Sequence, residues 1–429
     1  MLKHGPSKPL PLKGSVVSGP LFRVGTTMGQ IEIFGSHEPN TLAQLRDVAS
    51  RAERAALMAD GHLGYVMPIG GVAAYRDKVS VVGVGFDIAC GNAAIRTDLQ
   101  LPQIQGRLRE LADEIQASLS FGVGLKNRAD DAPTDDPLFE DPAWDAVPDR
   151  HERDRLRAKA REQLGTVGSG NHYVDVFADE EDDVWVGVHF GSRGFGFGVA
   201  HGFLALSQNK RWGERAPERE ALLDVHSAVG DAYWRLMNLA GRYAYAGREW
   251  VARKVVSILG GHEVELVHNH HNFAWIEEHG GESLYVIRKG ATPAFPGQKG
   301  FVGGSMGDNA VILQGATPAD AATRELQARA LYSTVHGAGR VMSRTAAAGK
   351  RTRKGKVLKP GAISREMMHE WVQKKGVLLR GGGTDESPHV YRRLPDVLEA
   401  QGATVAVLHT LRPLIVVMAG ADEFDPYKD

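Results

Sequence analysis

Glycine is unevenly distributed along this chain, and its distribution limits the possible folds more than any other feature. The sequence contains 51 glycines, many of them in five short stretches: GVGFDIACG, GTVGSGNH, HFGSRGFGFG, GQKGFVGGSMG and HGAGR. Glycine is needed where the backbone adopts positive φ values or approaches another group closely. Because each stretch also carries polar or ionisable side chains, the pattern predicts a site built from several loops on a rigid scaffold.

Helical and extended patterns follow one another without a strict strand–helix–strand repeat. Residues 41–59 carry leucine and alanine at helical spacing, and residues 216–257 predict one or two long helices. Residues 78–91, KVSVVGVGFDIACG, are rich in β-branched side chains and predict a buried strand that ends in a glycine loop. We therefore expect an α+β (mixed α/β) fold with central mixed β-sheets surrounded by helices.

No shift in composition marks a linker, so residues 1–429 are expected to form a single large domain. A hydrophobic content of 42% is enough for a sizeable core. The acidic, proline-rich residues 124–150 predict an exposed loop or lid, and residues 419–429 predict a C-terminal extension.

The charge balance and cysteine content exclude several classes of protein. With 51 Lys+Arg against 52 Asp+Glu, the chain is not polybasic, although a local basic groove remains compatible with this balance. Cys90 is the only cysteine, so no internal disulfide can form, which is typical of a reducing cytoplasm. The N-terminus lacks the apolar core of a signal peptide, and no apolar run approaches the roughly 20 residues of a membrane helix. We therefore expect a cytoplasmic protein without a membrane partner.

Several side chains beside the glycine stretches are of types that bind transition metals. Asp87 and Cys90 share one loop, and His172 and His189 each lie where a β-like run meets a glycine stretch. The segment VHNHHNFAW adds histidines 268, 270 and 271, of which at most two can face one site, because neighbouring strand side chains point to opposite faces. These residue types favour a metal site, and on their own they would favour zinc. Buried structural roles for the thiol and the imidazoles are the alternative.

His336 is suited to phosphate chemistry. It lies in HGAGR and is followed by Arg340 and Arg344. An imidazole nitrogen can attack phosphorus, and guanidinium groups stabilise the charge that develops. A general acid or base, or a structural histidine, would fit the same pattern.

Further basic and glycine-rich segments predict anion binding. Arg288 and Lys289 precede a long glycine-rich loop that contains Ser305, and backbone N–H groups in such a loop can bind an anion. The basic residues of 344–359 predict contact with a nucleic-acid backbone, or else a solvated charged loop.

Taken in order, these motifs resemble those of the RtcB family of RNA-splicing ligases. The similarity runs from about residue 60 to residue 418 through DGHLGYVMPIGG, GFDIACGNAAIRT, LGTVGSGNHYVDV, HFGSRGFG, NHHNFA, RKGAT, GGSMG and HGAGRVMSRT. The resemblance implies an enzyme of RNA splicing or repair that depends on GTP and two Mn²⁺ ions. It would join RNA ending in a 2′,3′-cyclic phosphate or 3′-phosphate to RNA bearing a 5′-hydroxyl. It also implies an archease-like activator as a candidate partner.

The resemblance implies roles for individual residues. His336 matches the histidine that attacks the α-phosphate of GTP and carries GMP, which then passes to the RNA 3′-phosphate. The implied metal ligands are Asp87, Cys90, His172, His189 and His271, with Cys90 bridging the two ions. The implied nucleotide contacts are Asn171, Tyr173, Asp175, Ser305, Ser333, Gly337, Gly339 and Tyr391. The implied RNA or phosphate contacts are Arg193, Arg288, Lys289, Arg340 and Arg344.

Three positions depart from the family pattern. Met418 and Tyr65 stand where lysine is usual, and Asp175 stands where many members have glutamate. Lys428 is a candidate replacement for the lysine missing at position 418. These departures favour, as an alternative, a paralogue that caps 3′-phosphate ends with little sealing or uses another nucleotide. A metal-dependent phosphohydrolase without a nucleotide intermediate and a catalytically silent RNA-binding protein are further alternatives.

Overall fold

Two β-sheets form the centre of the structure, a computed structural model that describes residues 30–318, 320–351 and 357–420. The strands are β1 (Gln30–Ile33), β2 (Arg54–His62), β3 (Ile69–Tyr75), β4 (Lys78–Ser80), β5 (Gly91–Gln100), β6 (Tyr173–Ala178), β7 (Asp183–Phe190), β8 (Leu222–Asp224), β9 (Glu263–His270), β10 (Asn272–His279), β11 (Glu282–Lys289), β12 (Ala291–Pro293), β13 (Lys299–Val302), β14 (Ala310–Gly315), β15 (Ser333–Val335), β16 (Gly349–Arg351), β17 (Val357–Pro360), β18 (Leu378–Arg380) and β19 (Val405–Met418). The α-helices are α1 (Pro39–Ala49), α2 (Val81–Val84), α3 (Leu101–Ile104), α4 (Leu108–Ser118), α5 (Arg150–Gln163), α6 (Arg193–Ser207), α7 (Ala228–Leu259), α8 (Ala321–Arg329), α9 (Arg344–Ala348), α10 (Arg365–Lys374) and α11 (Leu394–Gln401). Short 3₁₀ helices span Gln105–Arg107, Pro137–Glu140, Pro142–Ala146, Thr384–Glu386, Pro388–Val390 and Gly402–Thr404. The expected α+β class is confirmed.

The two large sheets differ in size and shape. The first has the strand order β1-β2-β3-β11-β10, and the second has the order β13-β14-β19-β6-β7-β5-β9, with β18 also paired to β19. Two asparagine side chains, from β5 and from β9 at one end of the second sheet, contact β13 at its other end. Asn92 donates to the carbonyl of Phe301 at 2.8 Å, and Asn269 accepts from the backbone N–H of Phe301 at 3.2 Å. The second sheet therefore curves until its two ends nearly meet.

Helix α7 connects the cores of the two sheets. Tyr233 and Leu236 in its first half are buried with side chains of α6 and the first sheet. Val251 and Val255 in its second half are buried against the second sheet and α4. Among the described residues, no helix is both long enough and apolar enough to cross a membrane.

The helix expected over residues 41–59 is only half correct. Helix α1 ends at Ala49, and the chain then continues as strand β2. Strand β2 lies between β1 and β3, and its interior residues are all buried. Side chains buried on both faces of a sheet carry no alternating pattern, and this burial overrides the helical propensity of alanine and leucine.

Two other segments differ from expectation in the same region of the fold. Residues 78–91 do not form one strand, because β4 ends at Ser80 and a short helical turn, α2, follows. The side chain of Ser80 accepts a hydrogen bond from the N–H of Gly83 and so caps this turn. The stretch HFGSRGFGFG is not a loop throughout, since α6 begins at Arg193.

The segment 124–150 is exposed only in part. Phe139 and Trp144 are buried in the core beside α6. Asp136 and Asp141 accept backbone hydrogen bonds at the starts of the two 3₁₀ helices that carry these aromatic residues. Some of the acidic residues therefore act as helix caps, and the expectation of an exposed loop is wrong for this half.

Some expectations fall on residues that the structure does not describe. The C-terminal extension beyond Gly420, including Lys428, lies outside the described residues, as do residues 352–356 of the basic stretch.

Candidate metal and nucleotide site

Four strand ends meet at one edge of the second sheet. Strands β6, β7, β5 and β9 are successive antiparallel neighbours. The start of β6, the end of β7, the start of β5 and the end of β9 therefore lie side by side. His172 immediately precedes β6, His189 lies near the end of β7, Cys90 immediately precedes β5 and His271 immediately follows β9. Antiparallel pairing thus gathers side chains that are far apart in the sequence.

These side chains and Asp87 form a compact group of potential metal ligands. Sγ of Cys90 lies 3.4 Å from Nε2 of His189 and 3.8 Å from Nε2 of His172. Oδ2 of Asp87 lies 3.1 Å from Nε2 of His172. The ring of His271 lies 5.0 Å from that of His189, and its buried Nδ1 has no hydrogen-bond partner within the described ranges. An orphaned imidazole nitrogen beside a thiol, a carboxylate and two further imidazoles fits a transition-metal ion.

Burial controls the protonation of this group. Burial, aided by neighbouring positive charge, lowers the pKa of His189 and of His271 well below the usual value, so both rings are neutral at neutral pH. Burial and the charge of Asp87 raise the pKa of the Cys90 thiol. Burial acts to raise the pKa of Asp87, but the hydrogen bond and charge of His172 and the charge of Arg193 outweigh it, so this pKa is lowered. A metal ion would therefore meet an ionised carboxylate, two neutral imidazoles and a thiol that must lose its proton.

The two histidines nearest Cys90 have different partners at their Nδ1 atoms, on the side of the ring away from Cys90. Nδ1 of His189 lies 2.7 Å from Oδ1 of Asn92, which can only accept, so Nδ1 carries the proton and Nε2 keeps a free lone pair. Nη1 of Arg193 lies 3.2 Å from Nδ1 of His172. Because a guanidinium only donates, Nε2 of His172 here carries the proton that faces Asp87. Metal binding at that atom requires this proton to move to Nδ1, and Arg193 must then give up its contact with Nδ1.

Arg193 therefore contacts a potential metal ligand instead of lining the cavity. Gly168 explains how its guanidinium fits there. Gly168 has a φ of +96°, and a Cβ at this position would lie 2.1 Å from a guanidinium nitrogen of Arg193. The glycine stretch GTVGSGNH thus makes room for a side chain as well as for a ligand.

Arg248 of α7 was not expected from the sequence and fastens the loop that carries Cys90. Its Nη1 donates to the carbonyls of Ala89 and Phe190 at 2.9 and 2.6 Å. Its Nε and Nη2 lie 2.8 Å from ring nitrogens of His268 and His270. These two histidines of the segment VHNHHNFAW therefore face α7. Ala89 has a φ of 60°, a strained value for a non-glycine residue that these contacts hold in place.

His336 is anchored by a second residue that sequence reasoning missed, Asp60 of β2. Nδ1 of His336 lies 2.6 Å from Oδ2 of the fully buried Asp60. The same oxygen accepts the backbone N–H groups of His336 and Gly337 at 3.1 and 3.3 Å. Gly339 has a φ of +74°, and a Cβ there would lie 2.4 Å from the carbonyl oxygen of Asp60. The available signal was the aspartate that opens the motif DGHLGYVMPIGG.

Most of the expected site residues line one cavity of about 820 Å³. The ring of His336 lies 4.8 Å from that of His271, so the anchored histidine and the potential metal ligands face the same space. The expected residues that line the cavity are Asp87, Cys90, Asn171, His172, Tyr173, Asp175, His189, His271, Ser305, His336, Gly337, Gly339, Arg340, Arg344 and Tyr391.

Arg288, Lys289 and Ser333 lie outside this cavity lining and are buried. Arg288 pairs with both carboxylate oxygens of Glu277, at 2.6 and 3.0 Å, and donates to Oγ of Ser333 at 2.8 Å. Lys289 donates to the carbonyl of Val82 at 3.1 Å, and burial lowers its pKa to about 8. These positions correct the expectation that Arg288 and Lys289 contact RNA phosphate and that Ser333 contacts the nucleotide.

Arg340 and Arg344 share an unexpected partner, Glu386. Nη1 of Arg340 lies 3.1 Å from Oε2 of Glu386 and donates to the hydroxyl of Tyr391 at 2.9 Å. Nε of Arg344 lies 3.2 Å from the other oxygen of Glu386, and Nη2 lies 3.4 Å from Oδ1 of Asn171. The carboxylate holds both guanidinium groups at the cavity wall, where a phosphate can compete for them.

The end of the cavity near β6 and β19 is more apolar. Met418 pairs with Tyr173 across these strands, and both line the cavity with Asp175. Burial raises the pKa of Asp175 well above the usual value, and its Oδ1 has no hydrogen-bond partner within the described part of the chain. No lysine is among the described residues that line the cavity. Tyr65, at the other position where the family pattern has lysine, also lines it.

A compact set of buried imidazole and thiol groups with a partly exposed carboxylate, beside a carboxylate-anchored histidine, defines a candidate metal-dependent enzyme site. The family described as tRNA-splicing ligase RtcB matches residues 41–419 of this chain. The tRNA-splicing ligase RtcB of Archaeoglobus fulgidus is 32% identical, over 83% of this chain and 86% of the relative. The RNA-splicing ligase RtcB of Escherichia coli is 31% identical, over 84% and 89%. The chain belongs to the RtcB family, which confirms the resemblance.

Proposed function

We propose that this protein is an RNA ligase that joins a 3′-phosphate or 2′,3′-cyclic phosphate end to a 5′-hydroxyl end through a GMP adduct on His336. The main support is the position of His336. It shares a cavity with the potential metal ligands, and Nδ1 lies 2.6 Å from Oδ2 of buried Asp60. A proton on Nδ1, directed at the carboxylate, would leave the lone pair on Nε2 for attack.

The proposed reaction has three transfers at phosphorus. Nε2 of His336 bonds to the α-phosphorus of GTP as the bond to pyrophosphate breaks. The RNA 3′-phosphate, formed by water where the end is cyclic, then takes GMP from His336 and becomes an activated 3′-pp-5′-G end. The 5′-hydroxyl attacks the RNA phosphate of that end, its proton leaves, and GMP departs. Arg340 and Arg344 are placed to bind the phosphates during these steps.

We further propose that Asp87, Cys90, His172, His189 and His271 would hold two Mn²⁺ ions. Bound metal ions would neutralise phosphate charge and stabilise the attacking and leaving oxygens. Imidazole and thiolate also suit zinc, so metal reconstitution is part of the test. Asn171, Ser305, Gly337, Gly339 and Tyr391 remain the proposed nucleotide contacts among the cavity residues. A cytoplasmic location, where Cys90 stays reduced, and an archease-like activator complete the proposal.

Labelled nucleotide tests the covalent step directly. We expect GTP labelled at the α-phosphate to leave an acid-labile label on the protein in the presence of Mn²⁺, and His336→Ala to abolish it. His369→Ala, which alters an exposed histidine of α10, is the matched control and should label normally. A label that survives in His336→Ala would refute the nucleophile. RNA with 3′-phosphate and 5′-hydroxyl ends then tests sealing.

A second candidate is a relative that caps 3′-phosphate ends or prefers another nucleotide. It is favoured by the apolar cavity end around Met418 and by the raised pKa of Asp175. The labelling assay, run with ATP and with GTP, shows which nucleotide the protein prefers. Accumulation of capped but unsealed RNA would favour capping. If Lys428 replaces the missing lysine, Lys428→Ala should weaken the preference for GTP, and an unchanged preference would exclude that role.

A further inference from the structure

A second group of potential metal ligands lies at the end of the second sheet that faces away from the cavity. This group, here called the distal cluster, consists of Asp179, Glu180 and His409. One ligand atom from each side chain lies within 4.8 Å of the others. Strand β6 begins at Tyr173, which lines the cavity, and ends at Ala178, next to the distal cluster. At about 3.4 Å per residue, the strand separates the two sites by roughly 17 Å.

Hydrogen bonds hold the two carboxylates of the distal cluster in place. Oδ1 of Asp179 accepts two backbone N–H groups, from the turn after β6 and from the start of β7, at 3.0 and 2.9 Å. Its Oδ2 accepts from Nε1 of Trp185 at 2.9 Å. Oε2 of Glu180 accepts the backbone N–H of Thr410 at 3.0 Å, so this carboxylate lies against β19. Carboxylates that are oriented by such hydrogen bonds are prepared to bind an ion.

His409 places a buried ring nitrogen beside these carboxylates. The pairing of β19 with β14 shifts next to His409, and such bulges re-aim side chains. Nδ1 lies 3.4 Å from Oε1 of Glu180 and 3.7 Å from Oδ2 of Asp179. This atom is buried, yet it forms no hydrogen bond with either oxygen or with any other atom of the described residues. Because the large majority of buried polar atoms have a partner, the orphaned nitrogen indicates a ligand between the three side chains.

The spacing of these atoms fits a zinc ion. Zn²⁺ binds imidazole nitrogen and carboxylate oxygen at about 2.0–2.2 Å, so two ligand atoms of a tetrahedral site lie about 3.3–3.6 Å apart. The distances of 3.4 and 3.7 Å from Nδ1 of His409 are close to this range. Ca²⁺ and Mg²⁺ prefer oxygen ligands throughout, so the imidazole argues against them.

We propose that the distal cluster binds a Zn²⁺ ion that fastens β19 to the turn between β6 and β7. The side chain of Glu180 is 51% exposed, which leaves the fourth ligand position to water and allows the ion to exchange with solution. From the distal cluster, β19 continues to Val416 and Met418, which line the cavity. The ion would therefore stabilise a strand of the cavity wall, and it takes no part in the proposed transfers at phosphorus.

Equilibrium dialysis against Zn²⁺ counts the bound ions. We expect His409→Ala to bind one Zn²⁺ fewer per chain than the parent protein. Ions bound near Cys90 cancel in this comparison, because both proteins keep that site. Glu180→Gln preserves the size of an exposed side chain and should weaken the affinity of the distal cluster at least about tenfold.

The matched control is His226→Ala, which breaks an exposed histidine–carboxylate pair with Asp77 and should bind as many ions as the parent. If His409→Ala and the parent bind the same number of Zn²⁺ ions, the proposal is overturned.

Stability measurements distinguish a bound ion from a simple ion pair between His409 and the carboxylates. Urea unfolding of the parent and of His409→Ala is compared in Zn²⁺ and in EDTA. An ion that binds only the folded state stabilises it by mass action, so the substitution should lower the unfolding midpoint more in Zn²⁺ than in EDTA. An ion pair needs no metal, so an equal loss under both conditions would also overturn the proposal. His226→Ala should show the same small effect in both.

Discussion

Oδ2 of Asp60 lies 2.6 Å from Nδ1 of His336 and also accepts the backbone N–H groups of His336 and Gly337. One buried oxygen thus orients both the ring and the loop that carries it. We expect Asp60→Asn to slow guanylylation of His336 by about 10²- to 10⁴-fold, because an amide can present N–H where these donors need an acceptor. The rate of label transfer from GTP measures the effect.

The control for this substitution is Asp47→Asn, which changes an exposed carboxylate of α1 and should leave the rate unchanged. Metal binding should survive in Asp60→Asn, since Asp60 lies behind His336 and is not among the proposed metal ligands. A normal rate of labelling in a folded Asp60→Asn protein would show that the carboxylate does not orient the histidine.

Metal affinity should rise with pH. Burial raises the pKa of the Cys90 thiol, so a metal ion that binds the thiolate must displace a proton at neutral pH. Below the thiol pKa this competition makes Mn²⁺ affinity rise about tenfold per pH unit. His189 and His271 have lowered pKa values and are already neutral, so they add no slope in this range. Calorimetric titration with Mn²⁺ at several pH values measures the slope.

Cys90→Ser should weaken binding and flatten this pH dependence. The matched control is His409→Ala, which removes one member of a separate group of potential ligands with Asp179 and Glu180. This control should leave both the affinity and the slope of the Cys90 site unchanged. An equal slope in Cys90→Ser would mean that another group releases the proton.

Three of the residues that sequence reasoning placed in the site stand where a strand meets a glycine stretch. Cys90, His172 and His189 have this signature, and antiparallel pairing brings such junctions to one edge of the sheet. Asp60 and Arg248 do not stand at such a junction. Asp60 lies inside a buried strand and Arg248 inside a long helix, and their roles depend on partners that only the tertiary fold brings close.

The prediction that Arg288 and Lys289 contact RNA phosphate rested on their charge and on the glycine loop that follows them. They precede a glycine loop, as an anion site would, yet both are buried in β11. Arg288 is neutralised by Glu277, a residue on the neighbouring strand whose position the sequence does not reveal. The same limit applies to β2. Its alanines and leucine predict a helix, but in the fold two neighbouring strands bury them in a sheet.

Arg248 should stabilise both the fold and the metal site. Arg248→Met keeps the length of the side chain but leaves the carbonyls of Ala89 and Phe190 without this donor, which destabilises by about 1–3 kcal/mol for each buried acceptor. Because the Cys90 loop loses its support, metal affinity should also fall by about 10- to 100-fold. Thermal unfolding and metal titration measure the two effects.

Arg253→Met on the same helix is the control, because Arg253 is exposed and its ion pairs among the described residues, with Glu249 and Glu263, lie at the surface. It should change stability by less than about 1 kcal/mol and leave metal affinity intact. Normal metal affinity in a destabilised Arg248→Met protein would restrict Arg248 to a role in folding.

Asp175 should make the protein less stable as pH rises. Burial raises the pKa of this carboxyl well above its usual value, so the folded state stays protonated over a pH range in which the unfolded chain ionises. Between the unfolded and folded pKa values the unfolded state binds fewer protons. The free energy of unfolding therefore falls by about 1.4 kcal/mol per pH unit from this group. Asp175→Asn matches the neutral acid in shape and should remove that slope, which makes the variant more stable than the parent at neutral pH.

Asp182→Asn, in the exposed turn after the same strand, is the control, and urea unfolding across a pH series measures all three proteins. If Asp175→Asn and the parent protein show the same dependence on pH, Asp175 is ionised in the folded state and the cavity end near Met418 carries a negative charge.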